Sequence, residues 1–365
     1  MAVQGKGFMI WKITSCENGN AIRIAEEAVR AGLTYVLIKI ANGVLPYNIN
    51  STTQEDYVPA VTNALHAKGL QVWGWHYLYG NNPKGEALIA VKRVQELGLD
   101  GYVIDAEDEY KRPGMDKAAT LFMSELRKGI PNKPVALCSF RYPNYHPQLP
   151  WKQFLESCDF NMPQVYWQNA HNASAQLRKS VYEFHRLTPY RPIIPTGPVY
   201  KASGWVPTTE DITEFLITAK QLNLQSVNFF AWDWGRTILR PLWDTVSAFP
   251  WPPYPTPIDI PELYIRSLNT REPALIANLF TPQGVHITAD KTVQGTADIR
   301  EWYRTFLTQT FPNATFKLTG IAGTGDARHF TWQGVSSKGK IDNGNDTIGM
   351  VNGQIAYHYS YFTVT

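Results

Sequence analysis

Eight short apolar segments alternate with segments of helical spacing through the first 250 residues, and this alternation constrains the fold more than any other feature. The strand-like segments cover residues 8–14, 35–41, 71–79, 102–107, 135–140, 160–167, 193–200 and 227–234. The helical segments include residues 20–31, 54–68, 84–97, 116–128, 173–187 and 209–222. Strands separated by helices are typical of parallel βαβ units. Eight such units in about 250 residues predict an α/β chain that closes into a (β/α)8 (TIM) barrel.

An open, doubly wound sheet is the structural alternative to this barrel. That fold usually carries a glycine-rich phosphate-binding turn after its first strand. The segment after residue 14 (SCENGNAIRI) has no such turn. We therefore favour the barrel.

A proline-rich segment, PWPPYPTP at residues 250–257, divides the chain. Five prolines in eight residues favour an extended connector, because proline cannot continue a helix or a central strand. The sequence predicts a barrel over residues 1–249, a linker over 250–257 and a smaller α+β domain over 258–365. A chain of 365 residues with 44% hydrophobic residues is large enough to bury two cores.

Charge and cysteine content exclude several classes of protein. Lys and Arg number 34 against 31 Asp and Glu, without a long basic run, so we expect neither nucleic acid nor a membrane surface as a partner. Cys16, Cys138 and Cys158 are widely spaced and odd in number, which predicts reduced thiols rather than a disulfide framework. Zinc-hydrolase, P-loop, nucleophile-elbow and calcium-loop motifs are absent, so we predict no metal and no cofactor.

The N-terminal segment MAVQGKGFMIWK is too short an apolar stretch for a signal peptide, and the chain has no run of about 18 apolar residues. These patterns predict a cytoplasmic protein. A secreted protein whose signal had been removed would show the same patterns.

Two acidic side chains at the end of the fourth segment are the strongest candidates for chemistry. Side chains alternate along a strand, so Asp105 and Glu107 share one face, and the carboxyl ends of the strands form the mouth of a barrel. Two neighbouring carboxylates repel, so one of them retains its proton to a higher pH. An acid that holds its proton beside an ionised partner is what glycoside cleavage requires. A solvated acidic loop after the strand is the alternative.

Aromatic residues are concentrated in the same part of the chain. Ten of the twelve tryptophans precede or lie in the linker, several of them near predicted strand ends. Flat rings with a polar edge are suited to stacking on sugars, although any single ring can instead fill the core. The predicted substrate-binding residues are Trp75, Tyr77, Trp167, Trp232 and Trp234, with Lys39 and His76 as polar partners of the acids.

Four short motifs resemble the glycoside hydrolase family 25 lysozymes. They are LIKIANG (residues 37–43), GWHYLYGNNPKGEA (74–87), VIDAED (103–108) and AWDWG (231–235), which resemble the motifs of the second, third, fourth and eighth strands of that family. The resemblance implies Glu107 as proton donor and Asp105 as its charged partner. It also implies an aspartate on the first strand, where this chain has no carboxylate.

The fourth strand is also similar to that of the chitinase-like family 18. Asp100, Gly101, Asp105 and Glu107 match its motif, whereas Val103 replaces an aspartate. The segment MPQVYW (residues 162–167) is a looser match to the family's sixth strand. This resemblance implies that Tyr166 binds a substrate acetamido group that Asp105 orients, so that the substrate's own carbonyl attacks the anomeric carbon.

The C-terminal segment resembles the nuclear transport factor 2-like (SnoaL-like, polyketide-cyclase-like) domains. Its matching parts are an early helix pair and residues 293–313, 330–337 and 346–362. The resemblance implies a curved sheet and helices around a conical pocket that either binds a small molecule or serves dimerisation, including a homodimer of this chain. The polar residues that are candidates for a base in this pocket are His286, His329, Asp342, Asp346 and His358. A surface or structural role is the favoured alternative for each of them, because no His-Asp spacing in the segment points to a site.

Three hypotheses follow. The barrel is a glycosidase acting on an N-acetylhexosamine-containing or related polysaccharide, with Glu107, Asp105 and Tyr166 as catalytic residues. Alternatively, the barrel binds carbohydrate without cleaving it, as the missing first-strand carboxylate would allow. In the third hypothesis the activity lies in the C-terminal pocket and the barrel is a targeting module.

Overall fold

The computed structural model describes residues 3–251, 259–323, 326–351 and 354–365. The chain separates into two compact units, Met1–Tyr254 and Pro255–Thr365. All but the first two residues of the predicted linker lie outside the described residues. No helix in the described part of the chain is both long and apolar enough to cross a bilayer.

The strands of the first unit follow the predicted order. They are β1 (Gly5–Ile10), β2 (Tyr35–Asn42), β3 (Leu45–Pro46), β4 (Gln71–Leu78), β5 (Gly101–Ala106), β6 (Val135–Phe140), β7 (Phe160–Gln164), β8 (Thr196–Pro198) and β9 (Ser226–Phe230). Apart from β3, which forms a short hairpin with the end of β2, the strands pair in parallel in the order β1-β9-β8-β7-β6-β5-β4-β2. Because β1 also pairs with β2, the sheet closes into a barrel.

Helices connect these strands and surround them. They are α1 (Ala21–Arg30), α2 (Val58–His66), α3 (Pro83–Glu96), α4 (Met115–Gly129), α5 (Trp151–Leu155), α6 (Ala173–Phe184), α7 (Thr209–Gln221), α8 (Trp232–Thr237) and α9 (Arg240–Ala248). The predicted (β/α)8 barrel is therefore confirmed.

Strand alternation divides the apolar side chains of the barrel between two cores. One set fills the inside of the cylinder and includes Trp73, Trp75 and Val103. The other set lies between the strands and the helices and includes Tyr102 and Ile104. Successive residues of β5 thus alternate between the two cores, as the period of a strand requires. Asp105 consequently faces the interior of the barrel.

The second unit is an α+β domain. Its helices are α10 (Ile260–Thr270), α11 (Pro273–Ala277) and α12 (Thr296–Thr305), which continues as a π-helical turn over Phe306–Thr310. Its strands are β10 (Phe280–Ile287), β11 (Thr292–Gln294), β12 (Thr315–Ala322), β13 (Ala327–Ser336), β14 (Gly339–Val351) and β15 (Gln354–Tyr361). They form one sheet in the order β11-β10-β15-β14-β13-β12. A separate aromatic-rich core packs between this sheet and the helices.

The first correction concerns the last barrel segment. Residues 227–234 were predicted as one strand, but β9 ends at Phe230 and Trp232 begins helix α8. The ring of Trp232 packs against Phe8 and Trp243 in the layer between barrel and helices. This burial outweighs the alternating pattern of the AWDWG segment, which therefore is not strand.

Candidate active site

The two acids predicted from the sequence lie together at the carboxyl end of β5. Asp105 is the fifth residue of the strand and is only 7% exposed. Glu107 follows the strand directly and leads into a short 3-10 helix, Asp108–Lys111. Both side chains reach Gln164 at the end of β7, which places them on the inner side of the barrel mouth.

Gln164 connects the two acids. Its side-chain amide donates to Asp105 Oδ1 at 3.1 Å and to Glu107 Oε1 at 2.8 Å. An amide nitrogen carries two protons, so it can satisfy one oxygen of each carboxyl group at the same time. This bridge fixes the two carboxyl groups relative to each other without adding a charge.

The surroundings of the pair raise the pKa of both acids. Burial is the main cause of the raised pKa of Asp105, and the charge of Glu107 adds to it, while Lys39 opposes it. Burial also raises the pKa of Glu107, against the hydrogen bond from Gln164. Two adjacent carboxyl groups in a buried site share a proton, because ionising both would place two negative charges side by side. The raised pKa of both acids therefore favours a proton shared by the pair, which is the arrangement that acid catalysis needs.

Lys39 lies inside the barrel near this pair and is 4% exposed. Its Nζ lies over four rings, at 5.2 Å from the centroid of Trp11, 4.6 Å from Tyr47, 4.8 Å from Trp75 and 5.8 Å from Tyr77. Trp75 is itself 3% exposed and donates to the carbonyl of Ile10. The prediction that Trp75 binds substrate directly is therefore corrected, because its ring faces Lys39 from within the core.

Two tyrosines predicted to act in the site do border the mouth. Tyr77 is partly buried, and its hydroxyl donates to Glu109 Oε2 at 2.7 Å. Tyr166 follows β7, with its ring centroid 5.2 Å from that of Tyr200 and 6.5 Å from that of Phe230. Burial raises the pKa of the Tyr166 hydroxyl well above its usual value, so it remains a neutral hydrogen-bond donor.

His76 is not in the mouth, which corrects its prediction as a partner of the acids. It is fully buried on the outer side of β4, where Nε2 donates to the carbonyl of Gly43 at 2.7 Å. Nδ1 accepts from the hydroxyl of Tyr102 at 2.8 Å. Burial lowers the pKa of His76 to about 3, so it is a neutral structural histidine.

Three tryptophans predicted to bind substrate also belong to the outer core. Trp167 is fully buried and packs on Phe215. Trp232 is fully buried on α8, and Trp234 is partly buried against the same apolar layer. Side chains of the outer core have their faces covered by helices, so the prediction that Trp167 and Trp232 bind sugar is corrected. The prediction for the partly buried Trp234 stays a prediction.

Several residues that the sequence analysis did not select lie around the acids. Gln164 holds the pair, and Trp11, Tyr47, Tyr200 and Phe230 contribute rings to the mouth. The alternation of side chains along β7 could have indicated that Gln164 faces the inside of the barrel, because it shares a face with Met162 of the inner core. Tyr47 follows the short hairpin strand β3, and no pattern in its segment indicates that it would cover a lysine.

The second unit contains a buried chain of polar side chains that includes three of the residues predicted there. Ser360 Oγ donates to Asp346 Oδ1 at 2.7 Å, and Asp346 Oδ2 lies 2.7 Å from His358 Nε2. His358 Nδ1 lies 3.1 Å from His286 Nδ1. Among the described residues, His286 Nε2 has no hydrogen-bond partner although it is buried. We name Ser360, Asp346, His358 and His286 the polar relay.

The hydrogen bonds of the polar relay determine its tautomers. The carboxylate of Asp346 can only accept, so His358 donates through Nε2 and accepts through Nδ1 when both imidazoles are neutral. His286 then donates through Nδ1, and its Nε2 carries a free lone pair. Burial lowers the pKa of His286 well below its usual value, which keeps this ring neutral.

A cavity of about 710 Å³ adjoins the polar relay. Ser360 and Trp302 both line this cavity, and the ring of Trp302 lies 4.3 Å from that of His286. The other two residues predicted as candidate bases in this unit, His329 and Asp342, are exposed and do not line it. Three of the five sequence candidates therefore lie in the polar relay, whereas His329 and Asp342 are surface residues, the role that is more common for such side chains.

Comparisons with known proteins agree with both folds. A family model described as a SnoaL-like domain matches residues 262–358. A chitinase structure from Bacteroides thetaiotaomicron superimposes with a TM-score of 0.54 at 10% identity, covering 67% of this chain and 96% of that chain. A chitinase from Chromobacterium violaceum gives a TM-score of 0.49 at 9% identity, covering 67% of this chain and 98% of that chain. No curated protein matches the sequence.

The solved structures similar to the second unit include an NTF2-like protein of unknown function from Cytophaga hutchinsonii. It covers 30% of this chain and 95% of its own length, with a TM-score of 0.25 and 12% identity. The superposition on the Bacteroides thetaiotaomicron chitinase and the family-model match support a TIM-type barrel followed by a SnoaL-like domain. The finer resemblance to family 25 lysozymes stays a prediction.

Proposed function

We propose that the barrel is a glycoside hydrolase that cleaves an N-acetylhexosamine-containing or related polysaccharide. The observation that carries the proposal is the buried pair of Asp105 and Glu107, bridged by Gln164 in an aromatic-lined barrel mouth. Glu107 is the general acid, because it is the less enclosed of the two and lies at the end of the strand. Catalytic residues at the carboxyl ends of strands are usual in such barrels.

The proposed reaction begins with one proton shared by the pair. Glu107 donates this proton to the glycosidic oxygen as the bond to the anomeric carbon breaks. Asp105 orients the substrate acetamido group, and the hydroxyl of Tyr166 donates to it. The acetamido carbonyl attacks the anomeric carbon, and water later opens the cyclic intermediate and returns a proton to Glu107. The route fits a chain whose first strand, ending at Ile10 and followed by Trp11, has no carboxylate.

Hydrolysis of a panel of chitin, peptidoglycan and aryl N-acetylglucosaminide substrates tests the proposal. We expect Glu107→Gln to lower kcat by about 10²- to 10⁴-fold, which is the usual contribution of a general acid. Glu156→Gln is the matched control, because Glu156 is exposed beyond α5 and its ion pair with Lys152 lies on the surface. Lack of activity in the wild-type protein, or equal activity in Glu107→Gln, would contradict the proposal.

Carbohydrate binding without turnover is the alternative for the barrel, and the absence of a first-strand carboxylate favours it. It predicts that calorimetry detects binding of chitin or peptidoglycan fragments while the hydrolysis assays stay negative.

A second candidate function belongs to the SnoaL-like domain, and the cavity beside the polar relay favours it. We propose that this cavity binds a small molecule through polar and apolar contacts, because Thr305 and Glu301 line it as well as Trp302 and Phe306. Ser360 is the member of the polar relay that lines the cavity, so a carbonyl or other polar group of the ligand would meet the relay at this hydroxyl.

Calorimetric titration of the full chain with small cyclic ketones tests this second function. Thr305 lines the cavity from α12, so Thr305→Trp should fill it and abolish binding. Tyr182→Trp adds the same side chain at an exposed position of the barrel unit and is the control. Binding that persists in Thr305→Trp would place the ligand elsewhere.

A further inference from the structure

The position of Lys39 suggests a role that the proposed reaction does not yet contain. In the strand register, Lys39 on β2 lies beside Trp75 on β4, and Tyr77 on β4 lies beside Asp105 on β5. The lysine is therefore separated from the acid pair by one strand. Its ammonium group is near enough to affect the charge of Asp105 but forms no ion pair within 4 Å with a described residue.

Aromatic rings, rather than carboxylates, surround the charged end of Lys39. Four aromatic faces surround Nζ at 4.6 to 5.8 Å, within the range of cation–π attraction. Trp11 and Tyr47 are further linked by a hydrogen bond of 3.0 Å from the indole to the hydroxyl. We call these rings, Trp11, Tyr47, Trp75 and Tyr77, the aromatic cage. The cage fixes the position of a positive charge without neutralising it.

A second buried lysine shows the structural alternative. Lys6 is 3% exposed, and its Nζ donates to the carbonyls of Val246, Ser247 and Phe249 at 2.7, 3.1 and 2.9 Å. All three of its protons are therefore used in holding β1 to the end of α9. Lys39 has no such acceptors among the described residues, so holding backbone in place does not explain it.

We propose that Lys39 is a positioning residue for the acid pair. Its caged ammonium is a fixed positive charge inside the same barrel, one strand away from Asp105, that keeps the pair singly protonated at the pH at which Glu107 must donate. The inference rests on the proposed glycosidase function for its catalytic meaning, although the charge of the pair can be measured without turnover. It also assigns a function to the aromatic cage, whose inner rings are too enclosed to stack on a sugar.

The other charged groups around the acid pair raise the pKa of its carboxyl groups, whereas Lys39 lowers that of Asp105. The carboxyl groups that face it are Asp108 and Glu109, which follow on the same loop and raise the pKa of Glu107. Tyr47 faces Lys39 with its ring at 4.6 Å from Nζ. The remaining titratable groups that border the pair or Lys39 are Tyr77, Cys138, Tyr166, Tyr200 and His76, all of which burial keeps neutral. Arg141 affects Tyr200 and lies farther along the rim. Lys39 is the cation that acts on Asp105.

The sign of the effect follows from elementary electrostatics. A positive charge favours ionised carboxyl groups. Its removal therefore raises the pH at which each carboxyl group of the pair loses its proton. Burial lowers the pKa of Lys39 to about 8. The difference between wild type and a variant without this charge should therefore be largest below pH 8 and shrink above it, because the wild-type lysine then also loses its proton.

Infrared titration of protonated carboxyl groups, assigned with Asp105→Asn and Glu107→Gln, tests the inference on the full chain. We expect Lys39→Met to move the titration of the pair to higher pH by about one pH unit or more. Lys39→Arg keeps the charge and should restore the wild-type curve. Lys68→Met removes an exposed lysine at the opposite end of the barrel, before β4, and should leave the curve unchanged.

The outcomes separate this inference from the proposed function. An unchanged titration in folded Lys39→Met overturns the role of Lys39, whether or not the protein hydrolyses glycans. If wild type hydrolyses a glycan, the pH profile of kcat/KM should shift upward in Lys39→Met and return in Lys39→Arg. A shifted infrared titration in a protein that lacks hydrolytic activity would support the charge role and reject the glycosidase.

Discussion

Asp105 is the residue at which function and stability conflict most directly. It is nearly buried, its pKa is raised well above the usual value by that burial, and its nearest charged neighbour in the chain is another acid. In the folded protein such a group binds its proton more tightly than in the unfolded chain. The stabilisation that this tighter proton binding gives the folded protein is fully present at low pH. It is lost as the pH rises through the folded-state pKa.

We expect Asp105→Asn to stabilise the barrel at neutral pH. The amide keeps the shape and can still bond to Gln164, but it does not ionise, so the free energy of unfolding should rise by about 1 to 2 kcal/mol at pH 7. Near pH 3, below the usual pKa of an aspartate in an unfolded chain, the variant and wild type should differ little, because the wild-type acid is then largely protonated in both states. Urea unfolding at the two pH values measures this, and a gain that is equal at both would contradict the explanation.

At the scale of the strand, β5 depends on a glycine at its start. A Cβ atom added to Gly101 would lie 2.4 Å from the indole of Trp73, which fills the inside of the barrel and is fully buried. The backbone of β5 can thus approach this large ring only without a side chain at that position. The same strand holds Asp105 four residues later, so this close packing also sets the depth of the acid in the barrel.

Gly101→Ala should therefore destabilise the barrel by about 1 to 3 kcal/mol, the usual cost of overpacking a core. Thermal unfolding followed by circular dichroism is the measurement. The double variant Gly101→Ala/Trp73→Leu is the control, because the smaller side chain makes room for the methyl group. If the double variant is no more stable than expected from adding two independent losses, the proposed collision is wrong.

The sequence predicted the strands and helices better than it predicted which neighbours each side chain contacts. The segment 135–140 coincides with β6, and the alternation along β5 correctly separated inner from outer residues. The same alternation failed after Phe230, because burial of Trp232 against Phe8 depends on a strand far from it in the sequence. Whether an aromatic ring faces solvent or core is decided by such distant partners.

The aromatic cage around Lys39 also depends on residues that are distant in the sequence. Its rings come from the residue after β1, from β4 and from the loop after β3. No local pattern contains that information. The amide bridge of Gln164 is an intermediate case, because its face was visible in the sequence but its two acceptors came from another strand.

At the scale of the whole molecule, the chain contains separate cores. The apolar residues of the barrel and those of the SnoaL-like domain form clusters that share no residue among those described. Each unit therefore buries its own apolar surface, as independent domains do. A loss of packing in one unit should remain within that unit.

Calorimetry of Ile348→Ala tests this independence. Ile348 is fully buried in the core of the second unit, and its truncation should cost about 2 to 5 kcal/mol and lower the transition of that unit by about 10 °C or more. The barrel transition should stay unchanged. Ile321→Ala truncates a 43% exposed side chain of the same unit and should have little effect. Parallel shifts of both transitions would show that the units unfold together.

The attachment of Lys6 to the end of α9 determines when this protein can fold during its synthesis. The first strand needs β2 on one edge and β9 on the other, and its buried lysine needs carbonyls from residues 246–249. A ribosome-bound chain that has emerged only to α7 therefore carries an unpaired strand edge and an unsatisfied cation in its first ten residues. The cylinder can close only after nearly 250 residues have left the exit tunnel, so its earliest-made strand waits longest for its last partners.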